Sequence, residues 1–108
     1  MTKRPWKIHK FGGSSLASAD CFKRVAKILL DYDDTQIGVV VSAMGGMTDA
    51  LINLTIQAEH SDDGYTKALN AIGKRYSETA SSLLESNALP PILNAWSSDA
   101  KDIIDLLN

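Results

Sequence analysis

The sequence is poor in the features that mark specialised protein classes. Its single cysteine, Cys21, excludes an internal disulfide and a cysteine-based zinc site, and fits a reducing compartment. Three prolines and seven glycines in 108 residues leave no basis for a collagen-like or Pro/Gly-rich disordered chain. No apolar run approaches the roughly 18 residues of a membrane span. The N-terminus shows neither the apolar core nor the small-residue cleavage site of a signal peptide. The expectation is a cytoplasmic protein with no membrane partner. Aromatic residues make up only 6% and the isoelectric point is near 5.5, which argues against nucleic acid as a partner.

What is present is an ordinary globular composition, 44% hydrophobic and 22% charged with a net charge of -2, in a length that fits one domain at most. The charge is unevenly spread. Up to residue 27 the bases Lys3, Arg4, Lys7, Lys10, Lys23, Arg24 and Lys27 face one acid, Asp20, and the remainder is acidic. A basic beginning suggests an anionic ligand, although a solvated helix face accounts for most of these residues. Only Lys10 sits in a context that asks for more.

Trp6 to Phe11 reads as a short strand that stops at Gly12-Gly13, where two residues without Cβ permit a tight turn and close backbone approach. A helix follows, capped near Ser18 with Asp20 in its first turn; Phe22, Val25, Ala26 and Leu29 form its apolar stripe, and it ends in the acidic turn Asp31 to Thr35. Residues 37 to 41, Ile-Gly-Val-Val-Val, read as a strand buried on both faces of a parallel sheet. The loop Ser42 to Asp49 carries Gly45 and Gly46 and leads into a second helix, with Thr48 as N-cap and a stripe of Leu51, Leu54, Thr55 and Ala58. Residues 1–60 thus run strand, glycine loop, helix, strand, glycine loop, helix, the opening of an α/β domain. Residues 61–108 read as a helical hairpin. Its first helix is lined by Tyr65, Ala68, Leu69, Ile72, Tyr76, Ala80 and Leu83, with Gly73 tolerated. Its second starts at Pro90 or Pro91 and is lined by Ile92, Trp96, Ile103 and Leu107.

Both glycine loops lie where a strand ends and a helix starts, the edge of an open α/β sheet at which ligands bind and helix N-termini attract anions. Two such loops on neighbouring strands would frame one cleft. The ammonium of Lys10 could sit beside phosphate held by the backbone of Gly12 and Gly13 and neutralise charge developing on a phosphoryl group in transfer. Neither G-x-x-x-x-G-K-[ST] nor G-x-G-x-x-G occurs. A structural turn with an exposed lysine is the plain alternative.

Lys10-Phe11-Gly12-Gly13-Ser14-Ser15, followed by Val40-Val41-Ser42-Ala43-Met44-Gly45 and Thr48-Asp49, resembles the aspartokinases of the amino acid kinase superfamily. The run His9 to Ala17 is similar to the start of the bifunctional aspartokinase and homoserine dehydrogenase enzymes. The resemblance implies the front part of an amino acid kinase (carbamate kinase-like) fold: a short parallel sheet with flanking helices plus a helical hairpin. It implies phosphorylation of the β-carboxylate of L-aspartate by Mg-ATP, toward lysine, threonine and methionine. On that basis Lys10 would be catalytic, and Lys10, Phe11, Gly12, Gly13 and Ser14 would bind ATP phosphates. Ser15 would extend the same loop, Ser42 and Thr48 would bind aspartate, and Gly45 and Gly46 would keep that pocket open. Mg2+ would arrive bound to ATP, with no metal site of the protein's own. Ser14 stands where many members have threonine, Asp49 where others have asparagine, and Met47 where a small polar residue is frequent. The Ser42-to-Thr48 loop argues against a glutamate or acetylglutamate kinase.

The resemblance spans nearly the whole chain but only the N-terminal portion of the family's kinase domain, so residues 1–108 alone are expected to be inactive. The contrasting expectation is a non-catalytic interaction module. Two strands with exposed edges suggest a homo-oligomer, or association with the remainder of the kinase. Among the other residues, His9 reads as a packed or surface strand residue, His60 as a helix-end residue and Cys21 as inert. Asp31, Asp33 and Asp34 read as a solvated turn, and Trp6, Trp96 and Tyr76 as core or groove-lining aromatics.

Overall fold

The computed structural model describes residues 5–32, 36–60 and 63–108 and divides into two compact units, Met1–Gly46 and Met47–Asn108. Lys3, Arg4, Asp33, Asp34, Thr35, Ser61 and Asp62 therefore lie outside the described residues.

The first unit contains β1 (Trp6–Phe11), a single 3-10 turn (Gly13–Leu16), α1 (Ala19–Leu30) and β2 (Gln36–Val41). The strands pair in parallel from Trp6 opposite Gln36 to Phe11 opposite Val41, so β1, α1 and β2 make one βαβ unit. Helix α1 starts where the sequence places it. Ser18 is extended and its hydroxyl accepts from the Cys21 N–H, Asp20 lies in the first turn and Lys27 in the last, both favourable to the helix dipole. Val25 is buried and Phe22 and Leu29 half-buried, whereas Ala26, assigned to the same stripe, is exposed. Leu16, Val25 and Met44 are the unit's buried apolar residues.

Alternation along β1 puts Lys7, His9 and Phe11 on one face and Trp6, Ile8 and Lys10 on the other. On the first face His9 is packed, stacked on Phe11 at 6.2 Å and edge-on to Tyr32 at 4.7 Å. The Lys7 ammonium stands 5.3 Å from the centre of the Tyr32 ring. The second face is open: Trp6 is 64% exposed and Ile8 67%, so Trp6 is not a core residue. Strand β2 likewise departs from the expected full burial, with Val39, Val40 and Val41 about half exposed. A parallel strand is covered on both faces only inside a wider sheet flanked by helices, and among the described residues β2 pairs with β1 alone.

The second unit holds α2 (Met47–Glu59), α3 (Gly64–Leu83) and α4 (Leu89–Leu107), with α3 packed against both others. Met47, Leu54, Tyr65, Leu69 and Ile72 form its core. The expected α3 stripe faces inward throughout, and Gly73 is more than tolerated. A methyl there would lie 2.5 Å from Trp96 Nε1, so the glycine makes room for the indole, which meets Tyr76 edge-on at 4.9 Å. Pro90 and Pro91 occupy the first turn of α4, a position that suits them. The α4 stripe holds at Trp96, Ile103 and Leu107, all half-buried, and departs at one position: Ile92 is 53% exposed and Leu93 takes the inward place, in line with Leu89, Trp96 and Ala100. The Tyr65 hydroxyl donates to Asn108 Oδ1, joining the start of α3 to the end of α4. No helix among the described residues is long and apolar enough to cross a membrane.

Candidate functional site

The parallel pairing carries both strands to the same edge, where the two glycine loops begin side by side. Lys10 is opposite Val40 and Phe11 opposite Val41, and the ladder continues one step further as the Ser42 N–H donates to the Phe11 carbonyl at 3.0 Å. Lys10 is exposed at this end of β1, Phe11 half-buried, and Gly12 open, with nothing within 4 Å of the place a Cβ would take. The loop then tightens into the 3-10 turn, closed by the Ser15 N–H on the Gly12 carbonyl at 3.1 Å. Ser14 and Ser15 are exposed.

The loops touch. A Cβ built on Gly13 would lie 3.4 Å from Gly45 Cα and 3.5 Å from the Ala43 carbonyl oxygen, ordinary contact distances. One built on Gly45 would lie 2.9 Å from the Gly13 carbonyl oxygen and 3.2 Å from the Ala17 methyl. Gly45 therefore has no room for a side chain, because the nearest obstacle is backbone. Gly46 follows with φ 79, the left-handed region that favours glycine. Ser42 is exposed and its hydroxyl donates to the Ala43 carbonyl at 3.0 Å.

Lys10, Phe11, Gly12, Gly13, Ser14, Ser42 and Gly45 are thus gathered at one sheet edge. Thr48 belongs to the second unit, where it is exposed in the first turn of α2. It is not the N-cap, since α2 begins at Met47 directly after Gly46 in its left-handed conformation. A second difference concerns the first loop. It opens into a four-residue 3-10 turn, and α1 starts only after Ser18, so Gly12 and Gly13 do not sit at an α-helix N-terminus. Positive character at this loop comes from Lys10 and from the backbone N–H groups rather than from a helix dipole, which fades beyond the terminal turn.

Sequence reasoning missed the part played by Cys21. The Ser18 hydroxyl donates to its sulfur at 3.3 Å, and the thiol donates to the Ser14 carbonyl at 3.8 Å, linking α1 to the first loop. The Ser18 bond holds the thiol pKa below its ordinary value, so the thiol is not electrostatically inert. The S-x-x-C spacing from an N-cap serine was the available signal. Beside it lies a cavity of about 70 Å³ lined by Phe11, Ser15, Cys21, Arg24, Val25 and Ile28. Among the described residues no three His, Cys, Asp or Glu side chains converge in a way that could hold a metal ion.

Residues 5–103 match the family model of the amino acid kinase family. The chain is 37% identical over 94 residues to a chloroplastic bifunctional aspartokinase/homoserine dehydrogenase of Daucus carota, covering 87% of this chain and 10% of that protein. It is 34% identical over 102 residues to bifunctional aspartokinase/homoserine dehydrogenase 2 of Escherichia coli (strain K12), covering 94% of this chain and 12% of that protein. Among solved structures it is similar to the aspartate kinase of Clostridium acetobutylicum, with TM-score 0.66 and 26% identity over 88% of this chain and 23% of that one. The chain spans about a tenth of the length of the curated relatives it matches.

Proposed function

The chain belongs to the amino acid kinase family, and from that premise we propose that it is the N-terminal portion of an aspartokinase kinase domain. In this proposal it carries half of a site that transfers the γ-phosphoryl group of ATP to the β-carboxylate of L-aspartate, giving 4-phospho-L-aspartate on the route to lysine, threonine and methionine. The observation that carries the proposal is the contact of the two glycine loops at the ends of paired parallel strands, with Lys10 exposed beside them.

In this reading the open backbone at Gly12 and Gly13 lets the phosphates approach their N–H groups. The Lys10 ammonium neutralises charge on the transferred group, as positioning and electrostatics dominate phosphoryl transfer. Phe11 and Ser14 flank that cradle, the Ser42 hydroxyl faces aspartate, and Thr48 is assigned to aspartate by the family resemblance alone. Mg2+ enters with the nucleotide, as part of the Mg-ATP substrate. The chain alone supplies too few contacts to hold both substrates in one geometry, and we assign it no turnover by itself. We place it in the cytoplasm. We also propose self-association, or association with the rest of a kinase domain, through the open sheet.

The test is a chimera in which residues 5–103 replace the matching segment of the E. coli relative, assayed for aspartate-dependent hydroxamate formation with Mg-ATP. Activity is expected, with a loss of about a hundredfold or more in Lys10→Ala. A folded chimera whose Lys10→Ala variant turns over normally removes Lys10 from its role, and one that ignores aspartate removes the substrate.

A further inference from the structure

The contact between the two loops is asymmetric, and the asymmetry points to one residue. Gly13 has ordinary clearance toward the second loop, whereas Gly45 has none: its missing Cβ would stand 2.9 Å from the Gly13 carbonyl oxygen and 3.2 Å from the Ala17 methyl. The Gly13 backbone therefore rests against the bare Cα of Gly45. The same segment leads to the candidate substrate residue, because the Ala43 carbonyl that faces Gly13 also accepts the Ser42 hydroxyl at 3.0 Å.

We propose that Gly45 is a positioning residue that couples the two loops, so that phosphate bound at Gly12 and Gly13 sets the orientation of the Ser42 hydroxyl through the Gly13–Gly45 and Gly13–Ala43 contacts. This inference rests on the reading of the first loop as a phosphate cradle. A ligand that draws the Gly12-Gly13 backbone toward itself moves the Gly13 carbonyl, and close packing without slack obliges the second loop to follow. By linkage, occupancy of the second loop then favours phosphate at the first. A side chain at position 45 holds the loops apart, and each responds alone.

The experiment is a Mg-ATP titration of the isotopically labelled chimera that carries residues 5–103, followed by amide NMR with the wild-type segment and with Gly45→Ala. In wild type the amides of residues 12–15 and of residues 43–46 are expected to shift together with one dissociation constant. In Gly45→Ala the first set still shifts, with affinity weakened about tenfold, inside the usual range of coupling between two sites, and the second set stays still. Shifts confined to residues 12–15 in wild type, or an unchanged second-loop response in Gly45→Ala, overturn the coupling while leaving the phosphate cradle in place. Absence of any shift at residues 12–15 in wild type overturns the cradle and the coupling together. The wild-type titration stands by itself should Gly45→Ala fail to fold.

Discussion

Two single residues show how much of this molecule is decided by local clearance and local hydrogen bonds. Gly73 lies inside α3, where alanine would gain about 1 kcal/mol of helix propensity. Its Cβ, however, would meet Trp96 Nε1 at 2.5 Å and Cε2 at 3.3 Å, and overpacking of that kind costs about 1–3 kcal/mol. Gly73→Ala is expected to destabilise the chain by about 1 kcal/mol net, read from urea unfolding followed by tryptophan fluorescence. A stabilised variant would show that the indole moves aside freely. At Ser18 one hydroxyl both caps α1 and donates to Cys21. The hydrogen bond from Ser18 is the largest cause of the lowered Cys21 pKa, opposed by desolvation and assisted by backbone hydrogen bonds and Arg24. Ser18→Ala should therefore move the midpoint of the pH–rate profile for iodoacetamide alkylation upward, with slower alkylation below the ordinary thiol range. It should also cost about 1 kcal/mol from the lost cap. A midpoint that stays in place would assign the shift to the other groups.

At the scale of elements, legibility in the sequence followed how far each pattern depends on its own residues. Strand β1, the Ser18 start of α1 and the inward line of α3 are local matters of alternation, capping and 3.6-residue periodicity, and all three stand in the structure. In the α4 stripe only Ile92 departs from expectation, because Ile92 and Leu93 are adjacent apolar residues and packing on α3 chooses between them. The choice is testable: Leu93→Ala should cost about 1–2 kcal/mol, roughly half the loss at a fully buried leucine, and Ile92→Ala less than about 0.5 kcal/mol. The reverse order in thermal unfolding would restore the register expected from sequence. The candidate site was legible as two strand-end glycine loops for the same local reason. Their contact was not, since no spacing reveals that Gly45 meets the Gly13 carbonyl across 31 intervening positions of chain order, nor that α2 begins directly after Gly46 rather than at a Thr48 cap.

At the largest scale, the governing fact is a parallel sheet that has two strands among the described residues and an apolar face left open. Trp6 and Ile8 on β1 and Val40 on β2 share that face and are 64%, 67% and 51% exposed. Val39 and Val41 on the other face are 45% and 58% exposed. Parallel strands are stable when covered on both faces, and unpaired strand edges invite pairing with another chain. Two strands alone make a marginal sheet, and the proposed self-association would cover β1 and β2 with a second copy. Sedimentation of the isolated 11.7 kDa chain should therefore show a mass that rises with concentration. Ile8→Lys, which sets a second ammonium on the face of Lys10, should shift the population toward monomer while the helical signal of α2, α3 and α4 persists, because those helices hold a core of their own at Leu54, Leu69 and Ile72. A monomeric mass for wild type at high concentration would refute self-association. An oligomer untouched by Ile8→Lys would move the interface to another surface.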